Sequence, residues 1–162
     1  MVPELPEVET IRRDLEPLVV GRRIEGVEVD EGTIRLLTGV PIELVRANLT
    51  GRVVVSLGRR GKYLFVGLDD GRVLVVHLRM TGRLVWRERG APAEPYERAV
   101  IHLDGGHDLR WCDLRKFGTW RVHDSADEVT AKLGPEPIDA DLTERAFRAV
   151  LANRSAPVKA VL

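Results

Sequence analysis

Tyr63-Leu64-Phe65-Val66-Gly67-Leu68-Asp69-Asp70-Gly71-Arg72-Val73-Leu74-Val75-Val76-His77-Leu78 decides the fold class. Two runs rich in β-branched and aromatic residues, Tyr63 to Leu68 and Val73 to Leu78, flank Asp70-Gly71. That dipeptide tolerates positive φ and closes a tight hairpin. Further runs of the same kind lie on either side: Ile24 to Val29, Val53 to Leu57, Leu84 to Trp86, Ala99 to Leu103, Leu109 to Cys112 and Thr119 to Val122. Gly, Asp and Pro clusters bound them, and Gly105-Gly106 supplies a second hairpin turn. Short strands at this spacing predict two antiparallel sheets packed as a sandwich. Trp86, Trp111 and Trp120 are expected in its core.

Helical patterns flank the strands. Val8, Ile11, Leu15 and Leu18 recur at i, i+3, i+7 and i+10, one apolar stripe at helical period. Pro6 suits a first turn, and Glu7 and Glu9 suit the positive end of the helix dipole. Arg12 and Arg13 can pair back to Glu9, and Gly21 ends the segment. A short helix is expected around Glu43 to Asn48. After Asp124 the rigid Leu133-Gly134-Pro135-Glu136-Pro137 leads to a helix carrying Leu142, Phe147, Val150 and Leu151, with Asp139 or Asp141 as its cap. The expected class is therefore mainly β with flanking α: a two-sheet antiparallel β-sandwich with an N-terminal helix and a C-terminal helix. One domain is expected over 1–138, with 139–162 forming a helix and the start of a further element.

Composition narrows the function. The 162 residues are 44% hydrophobic and 31% charged, a globular balance. Apolar runs such as Val73 to Val76 are strand-length, so no membrane span is expected. Glu4, Glu7 and Glu9 occupy the place of a secretory leader, which implies a cytoplasmic protein. Cys112 is the one cysteine, which rules out an internal disulfide and a four-cysteine metal site. Formal net charge is zero, so any nucleic-acid face must be a local patch. Arginine dominates, and lysine is kept only at Lys62, Lys116, Lys132 and Lys159. A retained lysine can mark a need for a compact amine donor; random drift is the other explanation.

Pro3-Glu4-Leu5-Pro6-Glu7-Val8-Glu9 closely resembles the start of the formamidopyrimidine-DNA glycosylase and endonuclease VIII superfamily. Four further motifs match in order: Arg59-Arg60-Gly61-Lys62-Tyr63-Leu64, His77-Leu78-Arg79-Met80-Thr81-Gly82, Asp113-Leu114-Arg115-Lys116-Phe117-Gly118, and Leu133-Gly134-Pro135-Glu136-Pro137. Pro157 to Leu162 resembles the family's interdomain hinge. The resemblance spans the whole chain and implies the N-terminal catalytic domain of a bacterial enzyme. The family's helix–two-turn–helix and zinc-finger segment would follow Leu162. No cofactor is expected in this chain, zinc being expected in that later segment, and the family suggests a monomer.

The resemblance also implies the chemistry. The family attacks C1′ of a damaged nucleotide with an N-terminal proline nitrogen, forms a Schiff base, and nicks the strand by elimination. Carried over, Pro3 is the nucleophile, Glu4 the proton shuttle, and Lys62 the lysine that approaches the DNA phosphate. An α-amino group has a reference pKa of about 7.7–8.0 against about 10.4 for lysine, so a terminal amine is nucleophilic at cellular pH. Met80, Arg115 and Phe117 match residues that fill the gap left by the flipped base. Lys159 matches a lysine near the damaged nucleotide. Without the resemblance, Lys62 reads as a solvated hairpin lysine, Met80 and Phe117 as core. His77 fits a phosphate contact or a buried, satisfied histidine; His102, His107 and His123 show no ligand spacing and read as surface.

Departures from the family pattern are specific. Arg79 stands for a glycine, Leu114 for a proline and Lys116 for an arginine, which bears on loop conformation. The chain begins Met1-Val2-Pro3-Glu4 where the family begins Met-Pro-Glu, and with Val2 attached the Pro3 nitrogen is an amide. The expected function is a base-excision-repair DNA glycosylase with abasic-site lyase activity on oxidised purines in double-stranded DNA. The alternatives are a non-catalytic module that binds damaged DNA weakly, and an endonuclease VIII-like glycosylase acting on oxidised pyrimidines.

Overall fold

A computed structural model describes residues 3–33, 36–131, 133, 136 and 142–152. Lys159, the proposed caps Asp139 and Asp141, and most of the Leu133 to Pro137 motif lie outside the described residues. Eight strands form two four-stranded antiparallel sheets. One holds β1 (Ile24–Val29), β6 (Glu97–Leu103), β7 (His107–Asp113) and β5 (Gly82–Glu88), in that spatial order. The other holds β2 (Val54–Arg60), β3 (Tyr63–Leu68), β4 (Val73–His77) and β8 (Thr119–His123). Helix α1 (Leu5–Val19) leads, α2 (Ile42–Leu49) follows β1, and α3 (Asp127–Thr130) and α4 (Glu144–Leu151) follow β8.

The two sheets share one core. Ile24, Ile101, Leu103 and Trp111 from the first sheet meet Leu57, Leu64, Leu74, Val76 and Trp120 from the second. Trp111 and Trp120 are fully buried and meet edge to face at 5.9 Å. Trp86 differs from its sisters: it is half-buried at the core's edge and stacks on His107 at 4.8 Å. Helix α1 adds Val8 and Leu15 of the expected stripe to the same core, with Ile11 and Leu18 packed partly buried against it and Val19 buried beside them. Phe65, Val73 and Val75 form a second, smaller cluster with Tyr63, Ala126 and Val129.

Registers gather the loops at one end. Tyr63 faces His77, His77 faces Thr119, and Gly82 faces Asp113. The β2–β3 tip, the β4–β5 loop and the β7–β8 loop therefore emerge together. The latter two each cross from one sheet to the other, as does the longer β1–β2 connection through α2. Strand β2 runs to Arg60 and β5 spans Gly82–Glu88, both longer than their apolar runs, because ladder pairing carries on through charged residues. The cap of α4 is Thr143, whose hydroxyl accepts from the Ala146 N–H; it replaces the expected aspartates. The other histidines are less free than a surface reading implies. His102 Nδ1 lies 2.8 Å from the buried Asp108 carboxylate, and His123 Nδ1 lies 2.9 Å from Glu128.

Candidate active site

The site starts at the beginning of α1. Glu4 is the N-cap residue, and it forms a capping box with Glu7, whose carboxylate accepts from the Glu4 N–H at 3.1 Å. Two orphan amides of the first turn are thereby satisfied. The box fixes the entry direction of the chain and so the position of Pro3. Pro3 is half-buried and, with Glu7, Ile11, Thr81, Tyr96, Cys112 and Leu114, lines an open cavity of about 460 Å³.

Lys62 is brought to the same place from far along the chain. Gly61-Lys62 is the two-residue tip of the β2–β3 hairpin, with Gly61 at φ +55°. The Lys62 Nζ contacts a Glu4 carboxylate oxygen in an ion pair, with the lysine 42% and the glutamate 56% exposed. Pairs this exposed contribute about 0–1 kcal/mol, so an incoming phosphate competes readily for the ammonium.

Beneath the hairpin lies a network that sequence reasoning did not assign. Arg59, 4% exposed, donates to Glu9 at 2.9 Å and to Glu136 at 2.9 Å. Glu136 also accepts from the Gly61 N–H at 2.8 Å, and Arg59 donates to the Gly61 carbonyl at 2.8 Å. The tip that carries Lys62 is clamped on both backbone groups. Burial alone would raise the Glu136 carboxyl, yet the Gly61 N–H and Arg59 hold it below the usual range. Arg12, against burial and then with Arg59 and Arg13, lowers Glu9 to about 2. Glu9, Arg59, Gly61 and Glu136 each stand in a matching motif, but nothing in the sequence pairs them.

His77 ends β4 with its ring edge-on to Tyr63 at 4.5 Å. Its Nδ1 accepts from the Arg79 N–H at 3.0 Å, which leaves Nε2 as the protonated nitrogen of the neutral ring. Burial first, then the charges of Arg79 and Lys62, lower its pKa to about 4. It is satisfied on one nitrogen and has a donor to offer on the other.

The two crossing loops carry the remaining candidates. Met80 and Phe117 are 38% and 39% exposed, so neither is a core residue. The Arg115 guanidinium donates to Met80 Sδ at 3.0 Å and lies 4.8 Å from the centre of the Phe117 ring. Arg79 and Lys116 both have positive φ, +55° and +56°, so the family's glycine at the Arg79 position has a conformational reason. Among the described residues, no three His, Cys, Asp or Glu side chains could jointly hold a metal.

The chain is similar in sequence and fold to known proteins. The family model for the formamidopyrimidine-DNA glycosylase N-terminal domain matches residues 2–120. The chain belongs to that family. A formamidopyrimidine-DNA glycosylase of Moorella thermoacetica is 44% identical over 99% of this chain, and one of Streptococcus pneumoniae strain R6 is 37% identical. The chain spans about 60% of the length of these curated relatives. A crystal structure of the Lactococcus lactis enzyme with abasic-site DNA matches 98% of this chain and 59% of its own, at 36% identity and TM-score 0.85. A family structure in complex with carbocyclic 8-oxo-G DNA matches at 38% identity, 92% of this chain and 57% of its own, and TM-score 0.81. The sandwich and its flanking helices are thus the fold of the family's N-terminal domain.

Proposed function

We propose that this chain is the catalytic domain of a base-excision-repair DNA glycosylase with abasic-site lyase activity, acting on oxidised purines in double-stranded DNA. The observation that carries the reading is the ion pair between Glu4 and Lys62, far apart in sequence, formed at the residue next to Pro3, which itself lines an open cavity. In this reading the Pro3 nitrogen, once free of Val2, attacks C1′. The bond from C1′ to the base breaks, and the base leaves with that electron pair and takes up a proton. Glu4 delivers a proton to the ring oxygen as the sugar opens, leaving an iminium between Pro3 and C1′. Loss of a C2′ proton then expels the 3′ phosphate, and a second elimination expels the 5′ phosphate. Lys62 exchanges its Glu4 partner for a backbone phosphate.

The loop cluster fits the second half of the task. Extruding a nucleotide leaves a hole in the stack, and an apolar wedge with a guanidinium offsets the lost stacking. Met80, Phe117 and Arg115 are grouped and exposed as such a wedge requires. Relatives of the chain were solved with abasic-site DNA, with Fapy-dG DNA and with 8-oxo-G DNA, which supports oxidised purines as the substrate class. Zinc is proposed to belong to the part of the relatives' length that this chain does not span. The protein is proposed to act as a monomer on DNA in the cytoplasm.

The test offers the chain, trimmed to start at Pro3, duplexes containing 8-oxoguanine or an oxidised pyrimidine at low salt. Nicking at the purine lesion, lost in Glu4→Gln, is expected. Preference for the pyrimidine would point to the endonuclease VIII branch. Salt-sensitive binding without any nicking would leave a damage-binding module and overturn the catalytic reading.

A further inference from the structure

The geometry points to Asp113 as a positioning residue that locks the β4–β5 and β7–β8 loops into one unit and so sets the wedge. This inference rests on the wedge reading of Met80, Arg115 and Phe117. Asp113 ends β7 and is 1% exposed. One carboxylate oxygen accepts from the Thr81 hydroxyl at 2.5 Å and from the Arg115 N–H at 3.2 Å. The other accepts from the Gly118 N–H at 2.9 Å. The Thr81 hydroxyl itself accepts from the Arg115 N–H at 3.1 Å, closing the ring between the loops.

Each of these contacts is next to a wedge residue in sequence. Thr81 follows Met80, the Arg115 amide belongs to the wedge guanidinium's own residue, and Gly118 follows Phe117. The three side chains project from backbone that one buried carboxylate holds together. The neighbourhood is packed to match. A Cβ on Gly118 would lie 2.0 Å from the Trp111 ring, and one on Gly82 would lie 2.8 Å from it. Both loops therefore close on the same two ring carbons of the Trp111 indole, and a buried acceptor left unmatched in such a setting is costly. The carboxylate suits this role because it presents acceptor positions only, whereas an amide presents donors on one side.

Asp113→Asn tests the inference, with Thr81→Val as a milder second variant and Thr81→Ser as the rescue. Amide hydrogen exchange at Arg115 and Gly118 reports the lock. Fluorescence of 2-aminopurine placed opposite an abasic-site analogue reports wedge insertion. Asp113→Asn is expected to speed exchange at Gly118 at least tenfold, with the amides of β6 and β7 unchanged. It should also remove most of the fluorescence change while keeping the salt dependence of DNA binding. Thr81→Val should do the same to a lesser degree, and Thr81→Ser should restore both signals. Unchanged exchange in Asp113→Asn and Thr81→Val overturns the inference, as does lost protection with a full fluorescence response. A full response in Met80→Ala and Phe117→Ala counts instead against the wedge reading, and the exchange data then decide the lock alone.

Discussion

His77 shows how local contacts set a residue's chemistry. With Nδ1 accepting from the Arg79 N–H and the ring half-buried, it is neutral at physiological pH and donates through Nε2. An NMR titration of the free protein should return a pKa near 4, and a value above 6 would contradict this environment. The sign for stability follows from linkage. The unfolded chain binds the proton near 6.5 and the folded chain near 4, so stability falls as pH drops through that interval. Glu9 acts at lower pH in the same direction. Its carboxyl is held at about 2 against an ordinary 4.5, so its contribution is complete above 4.5 and is lost as pH falls towards 2. Glu9→Gln should lower the thermal midpoint at pH 7 and flatten its decline below pH 4.5. A midpoint that declines as steeply as in the parent would show that protonation of Glu9 does not contribute to the acid loss of stability.

The crossing loops are the elements with the tightest geometry. Arg79 occupies a left-handed conformation that costs a residue with a Cβ about 1 kcal/mol. Arg79→Gly should therefore raise stability by about 1 kcal/mol in urea unfolding, while weakening DNA binding through the lost cation. Gly118→Ala should do the opposite. Its Cβ would lie 2.0 Å from Trp111 and overpack the core, lowering stability by about 1–3 kcal/mol. The strand elements were legible because β-branched runs alternate with turn dipeptides such as Asp70-Gly71 and Gly105-Gly106. Strand ends were less legible, since Arg59, Arg60, Arg83 and Glu88 extend the ladders yet carry no apolar signal. The α4 cap was misread because several capping residue types stood in one stretch, and the hydrogen bond that selects Thr143 is not encoded in composition.

At the scale of the molecule, a chain of zero net charge holds its candidate DNA face as a local cluster. The site residues could be named from the ordered motifs. Their meeting could not, because Glu4 and Lys62 are joined only through the packing of α1 on the β2–β3 hairpin. Glu136 had no readable role, since its partners Arg59 and Gly61 lie more than seventy positions away. Affinity for DNA should rest on few phosphate contacts and therefore fall with salt along a shallow slope, about one unit per contact. Lys62→Ala should reduce the slope of log affinity against log salt by about 1, and an unchanged slope would remove Lys62 from the phosphate track. The most direct test of the central claim is borohydride trapping on abasic-site DNA at low salt, read by intact mass. The chain starting at Pro3 should give a covalent protein–DNA adduct that disappears when the Pro3 nitrogen is acetylated. The absence of any adduct from the free Pro3 amine, or an adduct that survives acetylation, would contradict the account.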